Sequence, residues 1–218
     1  MSAELLLGVG GLALLDMLSP TALGVTVYLL LTEKERLGSR LIVYLITVAA
    51  FYFLAGIAVR LGMDVVMKVF SSILKNRILS WFMLITGVLL FTASFYYPKN
   101  TKSDVPRPKS KSAAAMIALG FTTSLIEVGT AFPYFAAIGL MSASNLAVCQ
   151  WLPILAGYNF IMLLPPLILF ILHLLFGRVM QQPLEKMRVK LMSYSGSAVS
   201  WMMSIFGLIL IFYSLDYL

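Results

Sequence analysis

LLLGVGGLALLDMLSPTALGVTVYLLL, residues 5–31, is an apolar run broken by one acid, Asp16, and by the sequence Ser19, Pro20, Thr21. A helix crosses a bilayer with about 20 apolar residues at about 1.5 Å each, so this stretch spans with length to spare. Five more apolar runs follow at 41–59, 78–97, 113–141, 146–176 and 192–213. Of the 218 residues, 61% are hydrophobic and 11% charged. A soluble domain carries roughly 45–50% and about 25%, so an ordinary globule is excluded. The runs are too long for the short alternating strands of a membrane barrel. One cysteine, Cys149, rules out an internal disulfide. The reading is an all-α membrane protein with six spans. No basic leader with a small-residue cleavage site precedes the first run, so that helix is expected to be retained.

Basic residues orient the spans, because short cytoplasmic loops retain Lys and Arg. Twelve of the sixteen fall in alternate loops: Lys34, Arg36 and Arg40; Lys99, Lys102, Arg107, Lys109 and Lys111; Arg178, Lys186, Arg188 and Lys190. The opposite side has Arg60, Lys68, Lys75 and Arg77. Both termini are therefore expected outside. The positive charge fixes topology and meets anionic headgroups, with no call for nucleic acid. Residues 64–77 and 179–191 read as amphipathic helices lying at the outer and inner interfaces, the second interrupted by Pro183. Residues 98–112, rich in Pro, Lys and Ser, read as a linker.

The linker divides the chain into three spans at 1–97 and three at 113–218. Three is odd, so the second half is expected upside down relative to the first. Each half opens with a long helix holding an acid followed by a proline. The first has Asp16, Ser19, Pro20 and Thr21, and the second has Glu127, Gly129, Thr130, Pro133 and Tyr134. Inverted repeats with broken helices at matching positions are characteristic of secondary transporters. Kinks or breaks are expected in the first, fourth and fifth spans, the last because it carries Pro153, Pro165 and Pro166.

Of nine acidic residues only Asp16 and Glu127 lie inside spans. Asp16 lies about 17 Å along its helix from one side and Glu127 about 21 Å from the other, both near mid-depth. A central charge costs roughly 2.5–3.5 kcal/mol to insert. Two such acids are expected to line a polar site that binds a proton, a cation or a substrate amine, sharing a proton when close. The alternative is a protonated acid bonded to Ser or Thr across a helix interface. Pro20 and Pro133 lack an amide hydrogen, which should free the carbonyls of Asp16 and Gly129. Ser19, Thr21, Thr123, Ser124 and Thr130 supply hydroxyls nearby, and Gly129 would admit a close approach. In the fifth span Tyr158 and Asn159 are candidate contacts to the same site. His173 reads as interfacial and Cys149 as a small hydrophobe. Gly196, Ser200 and Ser204 read as a packing face.

These residues carry a resemblance. Gly11 through Pro20, Gly120 through Tyr134, the six-span plan and the basic linker are similar to the lysine exporter superfamily, in its glycolipid- and sulfolipid-addressing branch (the GAP or Sap family). The resemblance covers the whole chain. It implies an exporter or flippase for lipids or amphipathic metabolites, driven by protons. The two halves and their acids lead to an expectation of alternating access, and a bacterial inner membrane is the default location. Thiol–disulfide carriers of that superfamily need a cysteine in each half, which is absent here, and soft-metal export lacks thiolates and imidazoles at depth. The acids alone fit a cationic amino acid or other small solute, and a non-transporting accessory subunit is a further alternative. Enzyme activity is not expected: no Gly-x-Gly-Asp run occurs, and His173 has no serine partner at depth. No metal or cofactor is expected. Membrane lipids and an amphipathic substrate are the expected partners, with a homodimer left open.

Overall fold

A computed structural model describes residues 3–17, 19–32, 37–74, 77–96, 112–129, 131–144 and 146–215. Among them the chain is helical and contains no strand: α1 (Ala3–Asp16), α2 (Pro20–Thr32), α3 (Leu37–Leu74), α4 (Arg77–Tyr96), α5 (Ala113–Val128), α6 (Phe132–Ala143), α7 (Val148–Phe176), a 3-10 turn at Gly177–Met180, and α8 (Gln181–Leu215). By length and composition α3 and α7 can each cross a membrane. The bent pairs α1–α2 and α5–α6 raise the number of candidate spans to four. Among the described residues α4 and α8 hold shorter apolar stretches, Ser80–Tyr96 and Met203–Phe212.

The two acid–proline runs are broken rather than merely kinked, and the prolines stand at the breaks. Pro20 is the first residue of α2 and Pro133 the second of α6. In a first turn the missing N–H removes no intrahelical bond and the fixed φ suits the helix. The paired axes bend by 47° and 73°. The expectation that Pro20 leaves the Asp16 carbonyl unpaired is corrected: the Ser19 amide donates to it at 3.1 Å. The Ser112 hydroxyl caps α5, accepting from the Ala115 amide at 3.2 Å.

Three other expectations change. The fifth span is not broken, since α7 runs uninterrupted through Pro153, Pro165 and Pro166. Membrane helices tolerate proline where neighbouring groups cover the freed carbonyl. Residues 64–74 form no separate interfacial helix but continue α3 to Leu74, their side chains lying outside the described ones. Pro183 does not interrupt an interfacial helix either. It is the third residue of α8, where proline fits the first turn.

The chain packs as two units. The first comprises Met1–Leu61 and Asp104–Met192, the second Gly62–Ser103 and Ser193–Leu218. In the first, α3 and α7 lie antiparallel: Gly38 faces Phe170, Gly56 faces Leu155, and Arg60 lies over Trp151. Helix α5 crosses α3 closely at Gly120, where a Cβ would stand 2.9 Å from that of Thr47. Phe51 and Phe121 meet edge-on beside it, with ring centres 5.3 Å apart. Helix α1 packs on α6, with Gly8 against Leu140. The second unit contains α4 and the later part of α8. There a Cβ on Gly207 would stand 2.7 Å from the Gly87 carbonyl oxygen, and Ser214 donates to the Ser80 carbonyl. The close approach thus falls at Gly207. Of the expected packing face, the side chains of Gly196 and Ser200 lie outside the described ones.

Candidate functional site

The last residue of α1 and the penultimate residue of α5 are Asp16 and Glu127, so each acid stands at the end of a helix where the chain bends. Both belong to the first unit. They come within electrostatic reach of one another, the Asp16 charge acting on Glu127. Glu127 is 7% exposed and Asp16 half-buried.

Tyrosines surround them. The Tyr158 hydroxyl donates to Asp16 Oδ2 at 3.0 Å and lies 3.4 Å from the Leu12 carbonyl oxygen. Its ring meets that of Tyr134 at 5.4 Å, and Tyr134 meets Tyr52 at 5.3 Å. The Tyr134 hydroxyl donates to the Tyr52 carbonyl. Tyr52 lies within electrostatic reach of both acids and Tyr44 within reach of Glu127. Thr123, one turn before Glu127, is 3.4 Å from the Tyr44 hydroxyl, although its own hydroxyl also reaches the carbonyls of Leu119 and Gly120. α1, α3, α5, α6 and α7 all contribute to one polar cluster inside an otherwise apolar unit.

That cluster has unfilled hydrogen-bonding capacity. Asn159, 5% exposed, lies beside the Tyr134 hydroxyl, whose proton is already given to Tyr52. Neither its amide oxygen nor its nitrogen has a partner of ordinary geometry within the protein. Ser124, three residues before Glu127 on α5, and Ser19, in the break after Asp16, each hold a buried hydroxyl oxygen in the same condition. Buried polar groups in folded proteins are nearly always satisfied by protein, water or ligand. Three such atoms lie on three segments flanking the two acids.

Of the residues anticipated from sequence, Asp16 and Tyr158 are joined by a hydrogen bond and Glu127 lies within electrostatic reach of Asp16, while Ser19 stands three residues after Asp16 and Asn159 next to Tyr158. Thr21 is half-buried in the first turn of α2, and Pro20 and Pro133 set the breaks. Thr130 lies outside the described residues. Gly129 is corrected: it is exposed, its φ is −63°, and a Cβ there would meet nothing within 4 Å. Tyr44 and Tyr52 were not anticipated. The signal for them was the buried α3 face at Leu41, Tyr44, Leu45, Val48 and Tyr52, with two phenols on a helix otherwise lined by aliphatic groups.

Among known families, the model described as Sap, sulfolipid-1-addressing protein, matches residues 9–215. No curated protein and no solved structure matches the chain.

Proposed function

Because the chain belongs to the Sap, sulfolipid-1-addressing protein, family, we propose that it is a secondary transporter that exports a lipid, lipid-linked or amphipathic molecule across a bacterial inner membrane. The family's name ties its members to sulfolipid addressing, and a helical chain rich in apolar residues is suited to that task. The observation that carries the reading is the acid pair. Two carboxyl groups at the ends of two bent helices lie within electrostatic reach of each other in a tyrosine-lined cluster with unfilled hydrogen-bonding positions.

The mechanism follows from this placement. Charged groups in hydrocarbon are costly, and a cost met twice at one place points to a pathway. A proton held between Asp16 and Glu127 neutralises the pair, and its loss restores repulsion between them. Each acid sits at a helix end, so a change in that repulsion acts where the chain already bends. Alternating access would then consist of the α1–α2 and α5–α6 breaks opening the pair to one side at a time. The six-span plan and inverted halves of the lysine exporter superfamily belong to the same proposal. They are supported by the pairing of α1 with α6 and, over a much smaller contact, of α2 with α5, and by α3 lying antiparallel to α7. A second reading, export of a cationic solute, is favoured by the acids themselves, which would bind an amine directly.

Purified protein in liposomes tests the proposal. With a proton gradient imposed, a headgroup-labelled anionic lipid is expected to move in the export direction without any partner protein. Movement of an amine or basic amino acid instead would favour the second reading. No movement of any of these cargos would contradict transport and leave an accessory role.

A further inference from the structure

The acid cluster does not suit an anion, whereas Arg60 in the first unit forms no ion pair among the described residues. Arg60 is half-buried near the first unit's end of α3, with a buried Nε that no acceptor reaches. Its guanidinium carbon lies 5.9 Å from the ring centre of Trp151, near the start of α7 and only 4% exposed. An arginine at a span end ordinarily extends its head toward the headgroups and water. Here the head lies over a buried indole, within cation–π range of about 6 Å. That contact holds the guanidinium near the ring, and its buried Nε–H has no acceptor.

We propose that Arg60, positioned by Trp151, binds an oxyanion carried by an amphipathic molecule: the sulfate or phosphate ester of a lipid headgroup. A planar guanidinium gives paired N–H donors that match two oxygens of such a group, which a lone ammonium does not. The location also connects to the acids. Trp151, Leu155 and Tyr158 lie on α7 at intervals of four and three residues, all buried toward the same seam, and Tyr158 holds Asp16. Arg60 is therefore about 10 Å from the acid cluster along α7. An anion placed at Asp16 and Glu127 would meet like charge, whereas at Arg60 it meets opposite charge. Cargo and coupling proton then occupy separate places on one seam. As a statement about cargo this rests on the export reading. As a statement about binding it stands on the Arg60 geometry.

Native mass spectrometry of the full-length protein in detergent tests it without transport. The probes are phosphatidylglycerol and cholesterol sulfate, with phosphatidylcholine as the uncharged comparison. The protein is expected to retain either anionic lipid about tenfold better than phosphatidylcholine, one charge-assisted hydrogen bond's worth. Arg60→Gln is expected to abolish that preference with elution volume and thermal midpoint unchanged. Arg60→Lys, which keeps the charge, is expected to lose several-fold because it lacks the fork. Millimolar inorganic sulfate assigns the source: displacement of the lipid shows that the oxyanion alone suffices, and retention shows that the chain is needed too. Either result upholds the site, provided Arg60 is required. An unchanged preference in Arg60→Gln, or in Arg60→Lys should the first variant not fold, overturns the proposal whatever the export assay shows.

Discussion

Asn159 separates a structural from a functional account of the polar cluster most sharply at the level of single residues. A buried carboxamide with neither end satisfied destabilises a protein, and an apolar residue of similar size removes that cost. Asn159→Leu is therefore expected to raise the thermal midpoint while reducing export, as happens when a site is maintained at the expense of stability. A fall in both would mean that the amide serves packing. Tyr158→Phe deletes the hydroxyl that donates to Asp16 Oδ2 and is expected to slow export roughly tenfold with little change in folding. Initial rates in proteoliposomes check it, and an unchanged rate counts against that contact. At this scale the acids were readable in the sequence, because a carboxylate in an apolar run has no bland composition to hide in. Tyr44 and Tyr52 were not, since a phenol on a spanning helix looks like any aromatic until its neighbours are known. Gly129 was misread: a glycine beside a proline suggests crowding, yet the chain there is open.

Among the helices, the sequence located the turning points better than their form. Proline after an acid correctly marked the two bends, but the residues open new helices rather than sit inside one. Pro153, Pro165 and Pro166 marked no break at all, because tertiary neighbours decide whether a proline interrupts a membrane helix. The amphipathic segments extended existing helices, since period alone does not show where a helix ends. Close helix crossings give a test at this level. Gly207 has backbone atoms of α4 within 2.9 Å of where a Cβ would be, whereas Gly8 has only the end of the Leu140 side chain at 3.4 Å. Gly207→Val is expected to cost about 1–3 kcal/mol or more, since backbone must move. Gly8→Ala is expected to be nearly neutral. Thermal unfolding in detergent measures both, and equal tolerance would refute the close α4–α8 contact.

The whole molecule adds topology. From the distribution of basic residues the 98–112 linker is expected inside and the start of α7 outside. Cys149, exposed and the only native cysteine, is expected to react with a membrane-impermeant maleimide from outside intact cells. Ser103→Cys in a Cys149→Ser background is expected to react only after permeabilisation. The reverse pattern would invert the orientation and with it the direction of proposed transport. Long-range pairing was the part least legible from the sequence. That α3 lies antiparallel to α7, and that two acids 111 positions apart come within electrostatic reach, follow from packing of side chains on separate helices, which no local pattern encodes.

The central claim is that Asp16 and Glu127 act as one unit. A mutant cycle on proton-driven lipid export in proteoliposomes tests it most directly, using Asp16→Asn, Glu127→Gln and the double variant. If the acids share one proton, each single change is expected to reduce export to background, and the double change to reduce it no further, the non-additivity of groups acting together. Export retained in either single variant, or losses that multiply as for independent sites, would contradict it.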